Sequence, residues 1–149
     1  MKIIIFARSL DRGGAERQII NLAIGLDRKG HDITVLLLQA KGCFLKNLKK
    51  HNISFVDLKR TRKLKLFASL YKLLSYLYNK KPKLIYSFLP VPNLLTIPVK
   101  IFFPKIVIVW GIRASTIEYS SYGMFIKYAY RLQELFSFIP DLLISNSEA

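Results

Sequence analysis

The chain has 149 residues, 52% of them hydrophobic and 13% aromatic, enough apolar side chain for one domain with a core and too much for an intrinsically disordered polypeptide. Its 24 Lys and Arg against 9 Asp and Glu give a net charge of +15, which directs attention to anionic partners: phosphorylated small molecules, phospholipid headgroups or nucleic acid. A single cysteine, Cys43, excludes an internal disulfide framework and a cysteine-built metal cluster and suits a reducing cytoplasmic compartment; its expected setting is that of a small, semi-buried residue.

The opening segment MKIIIFARSLDR begins with an Ile-rich run that reads as a strand, too short for a secretory signal and without a cleavage site. Further runs of Ile, Val and Leu follow at DITVLLL, ISFVDL, KLIYSFL, IVIVWGI and DLLISNS. Their hydrophobicity is continuous rather than alternating, as in strands covered on both faces of a parallel sheet. Helical patterns occupy the intervals at 15–29, 43–51, 64–79, 92–102 and 122–138. Alternating strand and helix, with right-handed crossovers, predicts an α/β, doubly wound, mainly parallel Rossmann-like sheet of about six strands with helices on both faces. No repeat or linker divides it, so residues 1–149 are expected to form one domain.

In the first helix Ile19, Ile20, Leu22, Ala23 and Leu26 form the inward stripe, and Gly30 is placed for the left-handed residue that follows a helix C-terminus. His31 then enters the second strand at the edge away from the ligand-binding ends, as a structural turn residue. From Lys41 to Lys83 basic residues meet only Asp57 as an acidic partner. The helix in that stretch, KLKLFASLYKLLSYLYNKK, carries a wide apolar face expected to pack mostly on the core: Leu64, Phe67, Leu70, Tyr71, Leu74, Leu77 and Tyr78. Its basic, aromatic-rich character also suits attachment to an anionic membrane surface. Between Leu84 and Val99 no charge occurs, but Pro90, Pro92 and Pro98 interrupt that stretch, and no transmembrane helix is expected. Nucleic acid ranks below the other anionic partners, because no helix-turn-helix, zinc or RNP-type pattern accompanies the charge.

The segment ARSLDRGGAE joins the first strand to the first helix, the usual anion-binding loop of a parallel α/β sheet. Glycines let a backbone approach a phosphate, and the first helical amides point at it; a plain tight turn explains Gly13 and Gly14 equally well, and helix stabilisation explains Glu16. The spacing is neither the Gly-x-Gly-x-x-Gly dinucleotide fingerprint nor a Walker loop.

The segment GGAERQIINLAIGLDRKGHDITVLLL, followed in order by KPKLIYSFLPVPNLL, IVIVWGIRAS and FIPDLLISNSEA, resembles the family 4 glycosyltransferases of GT-B fold. The resemblance implies a retaining transferase that moves a sugar from a nucleotide-sugar of nucleoside diphosphate type to a polysaccharide or lipid-linked acceptor, with no further cofactor and no metal. It implies that this chain is the N-terminal, acceptor-side half, at work in the cytoplasm or peripherally on the cytoplasmic membrane face. Gly13, Gly14, Ala15 and Glu16 would then lie at the donor diphosphate. Ser87, Phe88, Asn93, Trp110 and Ser115 would line the acceptor side. Many relatives carry a histidine after the fifth strand; here WGIRAS offers Arg113, a fixed guanidinium that can pair with a phosphate or carboxylate, as the catalytic candidate.

The family's donor-site pair of glutamates, seven residues apart, has no counterpart among Glu16, Glu118, Glu134 and Glu148. A C-terminal donor-binding domain is therefore expected from elsewhere, in cis or in trans, and the chain alone is expected to be inactive. The alternative is a non-catalytic, membrane-associated subunit that supplies the acceptor site to a separate donor-binding partner.

Overall fold

A computed structural model of the chain describes residues 1–59, 66–112 and 124–145. Strands β1 (Lys2–Ala7), β2 (Asp32–Leu37), β3 (Ser54–Asp57), β4 (Leu84–Phe88), β5 (Val107–Ile112) and β6 (Leu142–Ser145) alternate with helices α1 (Gly14–Arg28), α2 (Leu45–Lys50), α3 (Leu66–Lys80), α4 (Pro90–Phe102) and α5 (Met124–Leu135). The six strands form one sheet in the order β3-β2-β1-β4-β5-β6, every pair parallel. The expected doubly wound Rossmann-like fold is the fold observed.

Continuous hydrophobicity in the strands has its expected cause. Along β1, Ile3, Ile5 and Ala7 enter one core with Ile19, Ile20 and Ala23 of α1 and Leu48 of α2, while Ile4 and Phe6 enter another with Leu73 and Leu77 of α3 and Leu95 and Val99 of α4. Both faces of the strand are therefore dry. Helix α1 ends as its sequence predicts: Gly30 has φ +81°, its amide donates to Asp27 O at 2.8 Å, and that of His31 donates to Leu26 O at 3.2 Å. This pair of bonds satisfies carbonyls that the last turn would leave open. His31 lies beside the N-terminal amine, at the edge opposite the strand C-termini.

Three expectations need correction. Helix α3 is rotated from the expected face: Leu77 is buried and Leu70 and Leu74 pack on the core as expected, but Ser69 and Leu73 are buried as well, while Phe67, Tyr71 and Tyr78 are 80%, 74% and 68% exposed. A helix apolar nearly all round gives periodicity little to choose by, and Lys72 Nζ donates to the Leu58 carbonyl at 3.2 Å. Helix α4 starts at Pro90, the proline-tolerant first position, two residues before the expected 92, and like the expected span runs through Pro98. Cys43 is exposed rather than semi-buried.

The far side of the sheet is fastened by Asp141. Its backbone amide donates to Ile108 O at 2.9 Å, its carboxylate accepts the Ile108 amide at 2.8 Å, and Lys100 Nζ from the last turn of α4 lies 2.7 Å away. The Ile108 amide, and then Lys100, hold its carboxyl below the ordinary value of 3.8. A depressed folded-state value contributes stability that is present above the ordinary value and lost as pH falls through the folded one. Because the pair is partly exposed, Asp141→Asn is expected to cost only about 1 kcal/mol at neutral pH. In urea titrations the gap between the two proteins closes as pH drops below the carboxylate range; a pH-independent gap would assign Asp141 a steric role alone.

Candidate functional site

In a sheet ordered 3-2-1-4-5-6 the chain leaves β1 toward β2 and later returns to its other side as β4, which opens a crevice beyond the C-termini of β1 and β4. Two helix N-termini face that crevice, those of α1 and α4. They are unequal as anion sites.

The β1–α1 loop is held from outside. Leu38 and Gln39 amides donate to Ala7 and Arg8 carbonyls, extending the β1–β2 pairing beyond both strands. Leu10, fully buried, donates its amide to Lys41 O at 2.9 Å and accepts from the Phe44 amide at 3.1 Å. Ser9 Oγ donates to Asp11 Oδ2 at 2.7 Å. The loop after β2 can approach this closely because residue 42 is glycine. Gly42 has φ +113°, and a Cβ there would overlap the backbone of Leu10 and Asp11. Past this anchorage Asp11, Arg12, Gly13 and Gly14 are exposed, with Arg8 and Arg17 exposed on either side.

The geometry removes the tight-turn explanation of the glycine pair. Gly13 is extended, with φ −172° and ψ 162°, and Gly14 is the first helical residue; neither has positive φ. A Cβ at Gly14 would meet nothing within 4 Å, and one at Gly13 would meet the carboxylate of Glu16, which folds back over the helix start. The first intrahelical bond runs from the Arg17 amide to Gly13 O, and no side chain caps the end. The amides of Gly14, Ala15 and Glu16 thus have no partner within the helix, and the positive end of the dipole faces the Glu16 carboxylate and, beyond it across glycine, solvent.

Helix α4 offers fewer donors, since its first and third residues are Pro90 and Pro92. The residue before it, Leu89, holds φ +73° and ψ 157°, a region that side-chain-bearing residues rarely enter and that clusters at functional sites.

Four of the five acceptor-side candidates are fully buried: Ser87, Phe88, Asn93 and Trp110. Ser87 Oγ donates to Val109 O at 3.4 Å; Phe88 stacks on Tyr86 with centroids 4.4 Å apart, over the space that Gly111 leaves free. Trp110 Nε1 donates to Thr96 Oγ1 at 2.8 Å, Thr96 Oγ1 donates to Asn93 O at 2.6 Å, and Asn93 Nδ2 donates to Gln133 Oε1 at 2.8 Å. This buried chain ties β5, α4 and α5 together beneath the crevice, and Asn93 Oδ1 has no partner among the described residues. Ser115 and Arg113 lie outside the described residues. Sequence reasoning missed Gly42, Thr96 and Gln133; the legible signal for the last is a polar residue on the helix stripe that carries buried Ala129.

Among the described residues no three His, Cys, Asp or Glu side chains gather to hold a metal ion, and no helix is long and apolar enough to cross a membrane.

Residues 12–149 match the family model described as Glycosyltransferase Family 4. No curated protein matches the chain by sequence. Among solved structures the chain is similar to HepE from Anabaena, determined in complex with UDP, at 21% identity and a TM-score of 0.73, covering 99% of this chain and 38% of that one. It is also similar to MurG from Acinetobacter baumannii, at 14% identity and a TM-score of 0.63, covering 99% and 41%. A third is sucrose-phosphate synthase from Thermosynechococcus elongatus, at 10% identity and a TM-score of 0.61, covering 97% and 47%. The chain thus spans less than half the length of each.

Proposed function

The chain belongs to glycosyltransferase family 4, and from that premise we propose that it is the N-terminal, acceptor-side domain of a retaining enzyme that transfers a sugar from a nucleoside-diphosphate sugar to a polysaccharide or lipid-linked acceptor. The observation that carries the reading is the glycine pair: the fold does not need glycine at 14, yet the missing side chain leaves the first amides of α1 within reach of an anion that takes the place of the Glu16 carboxylate.

Sugar transfer builds negative charge on the departing diphosphate, and donors fixed before the reaction lower the barrier most effectively. The amides of Gly14, Ala15 and Glu16 are such donors, with Gly13 and Gly14 clearing the approach. Glu16, folded over the helix start, withdraws as the phosphate arrives. UDP bound to HepE makes a uridine nucleotide the first donor to try. Across the crevice the Trp110–Thr96–Asn93–Gln133 chain fixes the start of α4, so Ser87, Phe88, Asn93 and Trp110 act as a rigid wall behind the acceptor, and Ser115 and Arg113 complete that side. Arg113, always charged, pairs with a phosphate or carboxylate rather than serving as a base. The donor-sugar contacts come from a C-terminal domain supplied in cis or in trans, and no cofactor beyond the donor is called for. The cluster of basic residues from Lys41 to Lys83 supports peripheral attachment to the cytoplasmic membrane face.

Transfer of labelled sugar from UDP-sugars tests the division of labour. The 149-residue chain is expected to give none, and the same chain joined to a family 4 donor-binding domain to give product with retained anomeric configuration. Robust transfer by the 149-residue chain alone, or an inverted product from the joined protein, would overturn this reading.

A further inference from the structure

Helices α3, α4 and α5 enclose a groove of about 270 Å³ lined by Phe67 and Leu70 of α3, Leu94 and Pro98 of α4, and Phe125 and Leu132 of α5, among others. Among the described residues that line it, the Tyr128 hydroxyl is the only polar side-chain atom. Its walls remain open to water at a cost: Phe67 is 80% and Phe125 60% exposed, and Tyr71, Tyr128 and Leu132 continue the two rows. We infer that this groove holds the hydrocarbon chain of a phosphate-bearing lipid whose headgroup lies toward the crevice.

Three observations select that occupant. The first is position. Helices α3, α4 and α5 each begin after the C-terminus of a strand, so the end of the groove at Phe67, Val91 and Phe125 lies at the sheet edge that carries Gly13 and Gly14. From Val91 to Pro98 it descends along α4 for roughly 10 Å, as a chain trailing from a bound headgroup would. The second is shape: the groove is a narrow, open, almost wholly apolar channel of about 270 Å³ between three helices, suited to a flexible hydrocarbon chain. The third is charge. Toward the crevice end, Lys72 of α3, whose Nζ reaches the Leu58 carbonyl just past β3, and Lys127 in the first turn of α5 are basic with no acidic residue in the first turn of any of the three helices, which favours an anionic lipid over a zwitterionic or neutral one.

The proposal rests on the reading of the acceptor as lipid-linked and is tested on the 149-residue chain with monomeric dodecyl phosphate. Saturable one-to-one binding is expected, with methyl resonances of Leu70, Val91 and Leu94 shifting. Phe67→Glu and Phe125→Glu, at exposed positions that leave the core intact, are expected to weaken it at least tenfold, while Tyr78→Glu, on the same exposed row of α3 but outside the groove, changes it less than twofold. Equal loss in all three variants, full competition by inorganic phosphate, or binding to phosphatidylglycerol vesicles without binding to the monomer would overturn the groove in favour of an undirected charged surface. UDP-induced shifts at Gly13 to Glu16, read in the same sample, report separately on the donor site.

Discussion

Gly42→Ala is expected to lower the unfolding temperature of the chain by roughly 6–12 °C, the equivalent of about 3 kcal/mol or more for a domain of this size. Two independent costs combine. A residue with a side chain at φ +113° costs of order 1–3 kcal/mol. The new Cβ also meets the backbone of Leu10 and Asp11, which cannot turn aside as a side-chain tip would, and overpacking of that kind costs ~1–3 kcal/mol. If the protein still folds, the loop pair must separate, and Leu10, now fully buried, gains exposure. Thermal unfolding followed by circular dichroism measures the effect; an unchanged transition would mean that the two loops are not fastened to each other as described.

Gly14→Ala is expected to move stability and nucleotide affinity in opposite directions. The added methyl touches nothing in the protein and replaces glycine in a helix, which stabilises by about 0.4–1 kcal/mol. The same methyl stands where a phosphate would approach the amides of Ala15 and Glu16, and UDP affinity is expected to fall at least tenfold, ~1.4 kcal/mol. A variant that is both more stable and poorer at binding separates a ligand site from a turn, because a glycine needed for the turn would make Gly14→Ala less stable.

The layered sheet was legible because its code is dense: six Ile-, Val- and Leu-rich runs, of which the four central strands β2, β1, β4 and β5 are dry on both faces, admit few other architectures. The C-terminus of α1 was equally legible, since Gly30 in the left-handed region follows from local backbone sterics. Helix α3 was not. The choice between its Phe67–Tyr71–Tyr78 row and its Leu73–Leu77 row is made by the neighbours it packs on, which single-chain periodicity does not encode.

At the site, the glycine loop was found because strand, glycines and helix adjoin in sequence. Gly42 was missed because its reason is a contact with Leu10, thirty-two positions earlier. The polar chain from Trp110 to Gln133 spans three elements for the same reason. Asp141, noticed in sequence only within a family-like segment, has a structural basis in its bonds to Ile108 and Lys100.

Whether the start of α1 receives the diphosphate of a nucleotide-sugar donor is read by a residue-resolved amide titration of the ¹⁵N-labelled chain with UDP, which registers even weak binding. Saturable shifts concentrated at Gly13, Gly14, Ala15 and Glu16 are the expected result, reproduced by inorganic pyrophosphate and lost in Gly14→Ala. Shifts confined to other elements, or the same shifts persisting in the variant, would contradict a diphosphate site there.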